Sequence, residues 1–240
     1  MPLPKTIFKT LTAGFSEVLS PRHCIVCEEY ISDADRKFEF ICDSCFHSIP
    51  YAESPEILLN NILENYAGDE LCINNAYALL RLKDNDDWMK LIYGLKYEGF
   101  SRIGYEFGKE LGRIIQSYGH PEYSGIVPIP VHKARLRERG FNQSLYIARG
   151  VSEILSVPVA DDIIERAVYT QTQTVLSAEE RKINVEGAFR MTASNSAVEG
   201  KTYLLVDDVI TTGSTMNRCA LCLLEAGVRE IHVAAVASAR

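Results

Sequence analysis

Two adjacent carboxylates, Asp207 and Asp208, are followed closely by Thr211-Thr212-Gly213-Ser214-Thr215. The two groups suit different halves of one ligand. Carboxylates accept hydrogen bonds from sugar hydroxyls and repel phosphate. Small hydroxyl residues around a glycine, running into a helix, offer hydroxyl and backbone donors to a phosphate. A ligand with a 5′-phosphate next to a free ribose diol satisfies both. An ordinary strand-to-helix turn with a threonine N-cap accounts for the threonine and glycine but not for the acid pair. A second cluster, Lys133, Arg135, Arg137 and Arg139, places four cations within seven residues. Guanidinium forks match the paired oxygens of a pyrophosphate. A third is Cys24-x-x-Cys27 with Cys42-x-x-Cys45, 14 residues apart. Two such knuckles complete a tetrahedral four-thiolate zinc site, which leaves no open position and is therefore structural.

These residues need elements to hold them. The apolar run 203–206 reads as a buried strand with the acid pair at its end. A helix over 216–225 follows, closed by Gly227. Upstream, Ser54-Pro55 starts a helix to about residue 65, and 76–82 reads as a strand. The acidic stretch 84–87 opens a helix with Trp88, Leu91, Ile92 and Leu95 on its apolar face; Lys96 at its end reads as a solvated charge. A second amphipathic helix spans 103–117. A proline-bounded strand at 125–130 leads into the basic cluster, read as a loop, and Asn142 caps a helix over 143–155. The polar stretch 164–189, with Arg166, Thr170, Gln173 and Arg181, reads as a lid, with a surface hairpin as the alternative. Residues 37–41 read as a strand beside the second cysteine knuckle. His23 and His47 are read as bystanders, and Cys72, Cys219 and Cys222 as buried small hydrophobes.

The chain has 240 residues, 47% hydrophobic and 24% charged, with a net charge of −7. That is an ordinary globular composition, and the acidic balance argues against generic polyanion binding. No apolar run approaches the roughly 18 residues that span a bilayer, so no membrane insertion is expected. No leader pattern is visible at the N-terminus, which points to the cytoplasm. A reducing compartment disfavours disulfides among the seven cysteines.

The stretch 206–215 resembles the phosphoribosyl pyrophosphate (PRPP) motif of type I phosphoribosyltransferases. Several further motifs align in one order: the cysteine knuckles, L-K-Y-x-G at 95–99, R-x-R-x-R-G-F-N-Q at 135–143, and R-x3-T-x2-Q-x2-L-x4-R-x2-N-x2-G-x-F at 166–189. With V-D-D-V-x-T-T-G-x-T at 206–215, they make the chain similar to the ComF/GntX-type phosphoribosyltransferase-like family, associated with natural competence. The resemblance implies an α/β fold: a mostly parallel sheet flanked by helices, with a small zinc-ribbon-like N-terminal module. It implies a zinc module and linker over 1–68 and a phosphoribosyltransferase-like domain over 69–240. It also implies PRPP as ligand with Mg2+. Asp207 and Asp208 would hold the ribose hydroxyls, 211–215 the 5′-phosphate, and the basic cluster the pyrophosphate. Three readings stay open: a phosphoribosyltransferase of unidentified acceptor, a PRPP- or nucleotide-responsive regulator without turnover, and a single-stranded-DNA-binding competence factor with a vestigial transferase site.

Overall fold

The computed structural model describes residues 23–31, 38–67, 70–83, 86–97, 101–167 and 188–239. The lid positions Thr170, Gln173 and Arg181 lie outside the described residues. The elements run α1 (Asp43–His47), α2 (Pro55–Leu63), β1 (Asn75–Leu82), α3 (Met89–Tyr97), α4 (Ser101–Tyr118), β2 (Gly125–Pro128), α5 (Lys133–Arg139), α6 (Gln143–Leu155), β3 (Ile164–Arg166), β4 (Phe189–Met191), α7 (Asn195–Val198), β5 (Thr202–Ile210), α8 (Ser214–Glu225) and β6 (Glu230–Ala239).

Four strands form one sheet in the order β1-β6-β5-β2, every pair parallel. The strands are near-continuous apolar runs because helices cover both faces. On one face, Leu204, Val206, Ala234 and Val236 pack with the apolar sides of α3, α4 and α6 and with the cysteine module. On the other, Tyr203, Leu205, Val233 and Ala235 pack with α2, α8 and the separate antiparallel pair β3–β4.

Helices α4 and α6 meet through glycine. A Cβ at Gly108 would stand 2.2 Å from the Ile147 carbonyl oxygen, and one at Gly150 would stand 2.1 Å from that of Tyr105. No side chain fits at either point, so the backbones touch and α6 is seated firmly on the sheet.

Three expectations change. The strand bearing the acid pair does not stop at Val206 but pairs with β6 through Ile210. The basic cluster is a helix, α5, rather than a loop. His132 caps it, its Nδ1 accepting from the Ala134 N–H at 3.1 Å, and Gly140 ends it with φ +79°. Residues 38–41 form no strand; Ile25 N–H donates to the Phe40 carbonyl at 3.0 Å, while His23 bridges to Tyr30. Cys219 is buried as expected, whereas Cys72 and Cys222 are half-buried.

Candidate functional site

The acid pair lies in the last third of β5, with Asp207 opposite Ala235 of β6. Strand β2 ends beside it: Pro128 pairs with Val206, and the Ile129 N–H donates to the Val206 carbonyl at 2.8 Å. The chain leaving β2 therefore starts next to Asp207, at the carboxyl edge where open α/β sheets hold ligands. Asn142 fixes its return, accepting from the Ser144 N–H and donating Nδ2 to the Ile129 carbonyl, each at 3.1 Å. That cap points Ser144 at the acids, and its hydroxyl donates to Asp207 Oδ1 at 2.8 Å. The Asp208 N–H donates to the same oxygen at 2.9 Å.

Burial, and then the charge of Asp208, push the Asp207 carboxyl up to about 7; the Asp208 N–H, the Ser144 hydroxyl and Lys96 oppose that rise. Asp208 has its own cation. Lys96 Nζ stands 3.5 Å from Asp208 Oδ2, with side chains 30% and 14% exposed. Lys96, at the end of α3, is thus turned into the site and is not the solvated charge expected from sequence.

Beyond Ile210 the chain turns through Thr211 and Thr212, both exposed, into α8. Gly213 is the N-cap with φ +76°, and a Cβ there would stand 2.9 Å from Ile62 Cγ2. Glycine is required twice over, by the left-handed backbone and by the contact with α2. The Asn217 N–H bonds to the Gly213 carbonyl at 2.8 Å, so the helix begins at Ser214 and its first turn presents backbone donors beside Ser214 and Thr215.

The basic helix α5 divides its cations. Arg135 and Arg139, four residues apart, share a half-buried face; Lys133 and Arg137 are exposed. Lys133 Nζ lies 3.6 Å from Glu165 Oε2, and Glu165 also pairs with Arg190. Arg166 on β3 is brought to the site. Burial and then Arg135 pull its pKa down, while Asp207 holds it up, and its guanidinium lies 5.7 Å from the Phe189 ring centre. Arg135, Arg166 and Asp207 are therefore electrostatic neighbours. β3 and β4 pair antiparallel, and just beyond them the Ala167 N–H donates to the Ala188 carbonyl at 2.9 Å.

Sequence reasoning missed Ser144 and misread Lys96. The signal for Ser144 was present: a hydroxyl one place past a capping Asn142-Gln143 marks a first-turn side chain aimed along the helix entrance. For Lys96 the signal was its place in L-K-Y-x-G at 95–99; nothing local showed its partner, which is remote in sequence.

The four knuckle cysteines converge, their Sγ atoms all within 4.8 Å of one another. Four sulfurs about 2.3 Å from a tetrahedral zinc stand about 3.8 Å apart. The Cys27 and Cys42 sulfurs are 3.7 Å apart, which fits. Backbone amides also turn toward the sulfurs: Cys45 N–H faces Cys42 Sγ at 3.5 Å. Burial pushes the Cys24 thiol up, but N–H donation from Cys27, Cys42 and Val26 outweighs it and brings the pKa to about 7. For Mg2+, the acid pair supplies hard oxygen ligands of the kind that hold this ion together with phosphates.

Residues 142–240 match the family model of the phosphoribosyl transferase domain. Competence protein F of Haemophilus influenzae is 39% identical over 48% of this chain and 50% of its own length. Competence protein ComFC of Bacillus subtilis is 31% identical over 60% of this chain and 56% of its own. The chain thus spans about half the length of the curated relatives it matches. A solved structure of the allosteric regulatory enzyme of purine biosynthesis is 25% identical, covering 55% of this chain and 25% of that one, with a TM-score of 0.38. A likeness that partial carries no argument. The matched domain and the two competence-protein relatives make the chain similar to the ComF-type phosphoribosyltransferase-like family.

Proposed function

We propose that the carboxyl edge of β2 and β5 binds PRPP or a related phosphoribosyl ligand. The observation that carries this reading is the juxtaposition on β5 and α8: a part-buried acid pair, then a glycine-capped helix start. Asp207 and Asp208 accept from the ribose hydroxyls, and Ser144 and Lys96 orient them. Residues 211–215 hold the 5′-phosphate through hydroxyls and first-turn amides. Arg135 and Arg139, with Arg166 nearby, take the pyrophosphate; Lys133 and Arg137 add long-range attraction from the exposed side of α5. Mg2+, when bound, would neutralise the charge of the pyrophosphate, and Asp207 and Asp208 would help to hold it. If the bond at the ribose C1 is broken, these cations stabilise the leaving pyrophosphate and the acids balance positive charge on the sugar.

Zinc in the four-cysteine cluster holds the N-terminal module together, a segment with little core of its own. By likeness to the competence proteins, the chain serves DNA uptake in natural competence from the cytoplasm. No described helix is long and apolar enough to cross a membrane.

Calorimetric titration with PRPP and Mg2+ tests the reading. Saturable, Mg2+-dependent binding to the wild type is expected, weakened at least about tenfold by Asp207→Asn/Asp208→Asn through loss of charge-assisted hydrogen bonds. No binding to the wild type refutes it.

A further inference from the structure

Helix α3 is held by a lysine at each end. Near its start, Lys90 Nζ donates to Glu28 Oε1 at 2.8 Å and to the Val26 carbonyl at 3.3 Å, and stands 3.2 Å from Asp87 Oδ1. In its last turn, Lys96 Nζ stands 3.5 Å from Asp208 Oδ2. The two lysines are separated by about 9 Å along the axis and about one and two-thirds turns around it. They therefore leave the helix on different sides, one toward the first cysteine knuckle and one toward the acid pair. Val26 and Glu28 flank the knuckle residue Cys27.

An exposed ion pair holds little by itself, and the Lys90 and Glu28 side chains are 42% and 74% exposed. The packing beneath does more. Leu91, Ile92 and Leu95 are buried in one cluster with Cys24, Val26, Ile41 and Cys45. Two of the knuckle cysteines and the inner face of α3 thus share a core, and Lys96 follows directly on Leu95. The module is in turn braced on α4, where Arg102 Nη1 stands 2.7 Å from Glu39 Oε2.

The knuckle that Lys90 grips is a turn under strain. Glu28 has φ +64°, a left-handed backbone without glycine. The turn is closed by the Glu28 N–H on the Cys24 carbonyl and the Cys24 N–H on the Glu29 carbonyl, each at 2.8 Å. Four thiolates drawn to one zinc keep it closed; with the thiols unbound, the strain favours opening. Lys90 then loses Val26 and Glu28 as fixed partners, and α3 loses a support at the end away from Lys96.

We infer that the cysteine module is part of the binding machinery: through Lys90 and α3 it positions Lys96 against Asp208, so that zinc loading and phosphoribosyl-ligand binding are coupled. Lys90 is a positioning residue in this scheme, since it touches no ligand. The inference rests on the phosphoribosyl reading above and adds its regulation.

The full chain, zinc-loaded and zinc-free, tests it. The metal is removed with a chelator under reductant, and the chelator is dialysed away. Calorimetry reads PRPP binding with Mg2+, and hydrogen exchange without ligand reads α3, α6 and β5. Zinc removal weakens PRPP binding about 3- to 30-fold, the range expected for loss of Lys96 itself. Lys90→Met weakens it about 2- to 5-fold in the zinc-loaded chain, and Lys90→Arg restores part. In both cases α3 loses protection while α6 and β5 keep theirs. In Lys96→Met, zinc removal changes PRPP affinity no further, a dependence that a merely structural module does not produce. Saturating PRPP and Mg2+ raise zinc affinity, read by chelator competition, by the same factor that zinc raises PRPP affinity. Equal PRPP affinity in zinc-loaded, zinc-free and Lys90→Met protein overturns the inference and leaves the phosphoribosyl reading standing. Protection lost through β5 as well assigns the effect to unfolding of the sheet and overturns it too. A wild type that binds no PRPP when zinc-loaded refutes the underlying reading, and the inference with it.

Discussion

The carboxyl of Asp207 is held between opposing influences. Burial and Asp208 favour its neutral form; Ser144, the Asp208 amide and Lys96 favour the anion, and the balance falls at about 7. A carboxyl whose folded pKa lies above its unfolded value binds extra protons in the folded state. Its stabilising contribution is full below the unfolded pKa, near 3.8, and is lost as pH rises through about 7. Asp207→Asn should therefore stabilise the fold at pH 8 by about 0.5–2 kcal/mol and much less at pH 5, read by thermal melting at both values. Ligand binding should respond in the opposite sense. The ribose hydroxyls need the ionised acceptor, so PRPP affinity should strengthen more steeply from pH 6 to pH 8 in the wild type than in the variant, where only the ligand's own phosphates titrate. Lys96 belongs to the same balance: Lys96→Met removes the cation beside Asp208 and should weaken PRPP binding by about 3- to 30-fold, with Lys96→Arg restoring part of it. The acid pair was legible in sequence because its chemistry is local, two acids after an apolar run. Lys96 was not, because a charge at a helix end looks solvated until the fold sets another element against it.

At the scale of elements, close backbone approach does the positioning. Gly108 and Gly150 let α4 and α6 touch, which sets Asn142 and Ser144 at the mouth of the site. Gly108→Ala or Gly150→Ala should cost about 1–3 kcal/mol in denaturant unfolding, because the added carbon meets a carbonyl oxygen of the facing helix. Gly213→Ala combines a left-handed backbone with a clash on Ile62 and should cost about 1–2 kcal/mol, with phosphate affinity falling alongside. Helix α6 was readable from its cap and period, and the structure gives the bounds expected, Gln143–Leu155. Two neighbours were not. Aspartates are depleted in strands, so the run appeared to stop at Val206, yet the β6 ladder carries β5 on to Ile210. The basic cluster is too short, and too uniformly polar, to show a helical period, yet a histidine cap and a terminal glycine close it as α5. In the module, the knuckle spacing predicted the convergence of four sulfurs, which is a local matter. Residues 38–41 pack against α4, with the Phe38 ring 5.4 Å from that of Phe107, and were misread as a strand.

For the molecule as a whole, a net acidic chain sets a run of four cations on α5, just beyond the carboxyl end of β2. That arrangement suits a small polyanion better than a long one, and the salt response separates the two. Affinity for a single-stranded oligonucleotide that falls steeply with salt would mark extended phosphate neutralisation; for this chain a shallow slope is expected. Zinc is expected at one per chain by elemental analysis. Removing it should loosen the cysteine module while β1, β2, β5 and β6 keep their parallel sheet, read as hydrogen-exchange protection lost around Cys24 and Cys45 and retained in β5. The most direct measurement is a crystal structure of the chain with PRPP and Mg2+. The account predicts the 5′-phosphate on residues 211–215, the ribose hydroxyls on Asp207 and Asp208, and the pyrophosphate toward Arg135 and Arg139. Ligand density at another surface, with the acid pair still closed on Lys96, would contradict it.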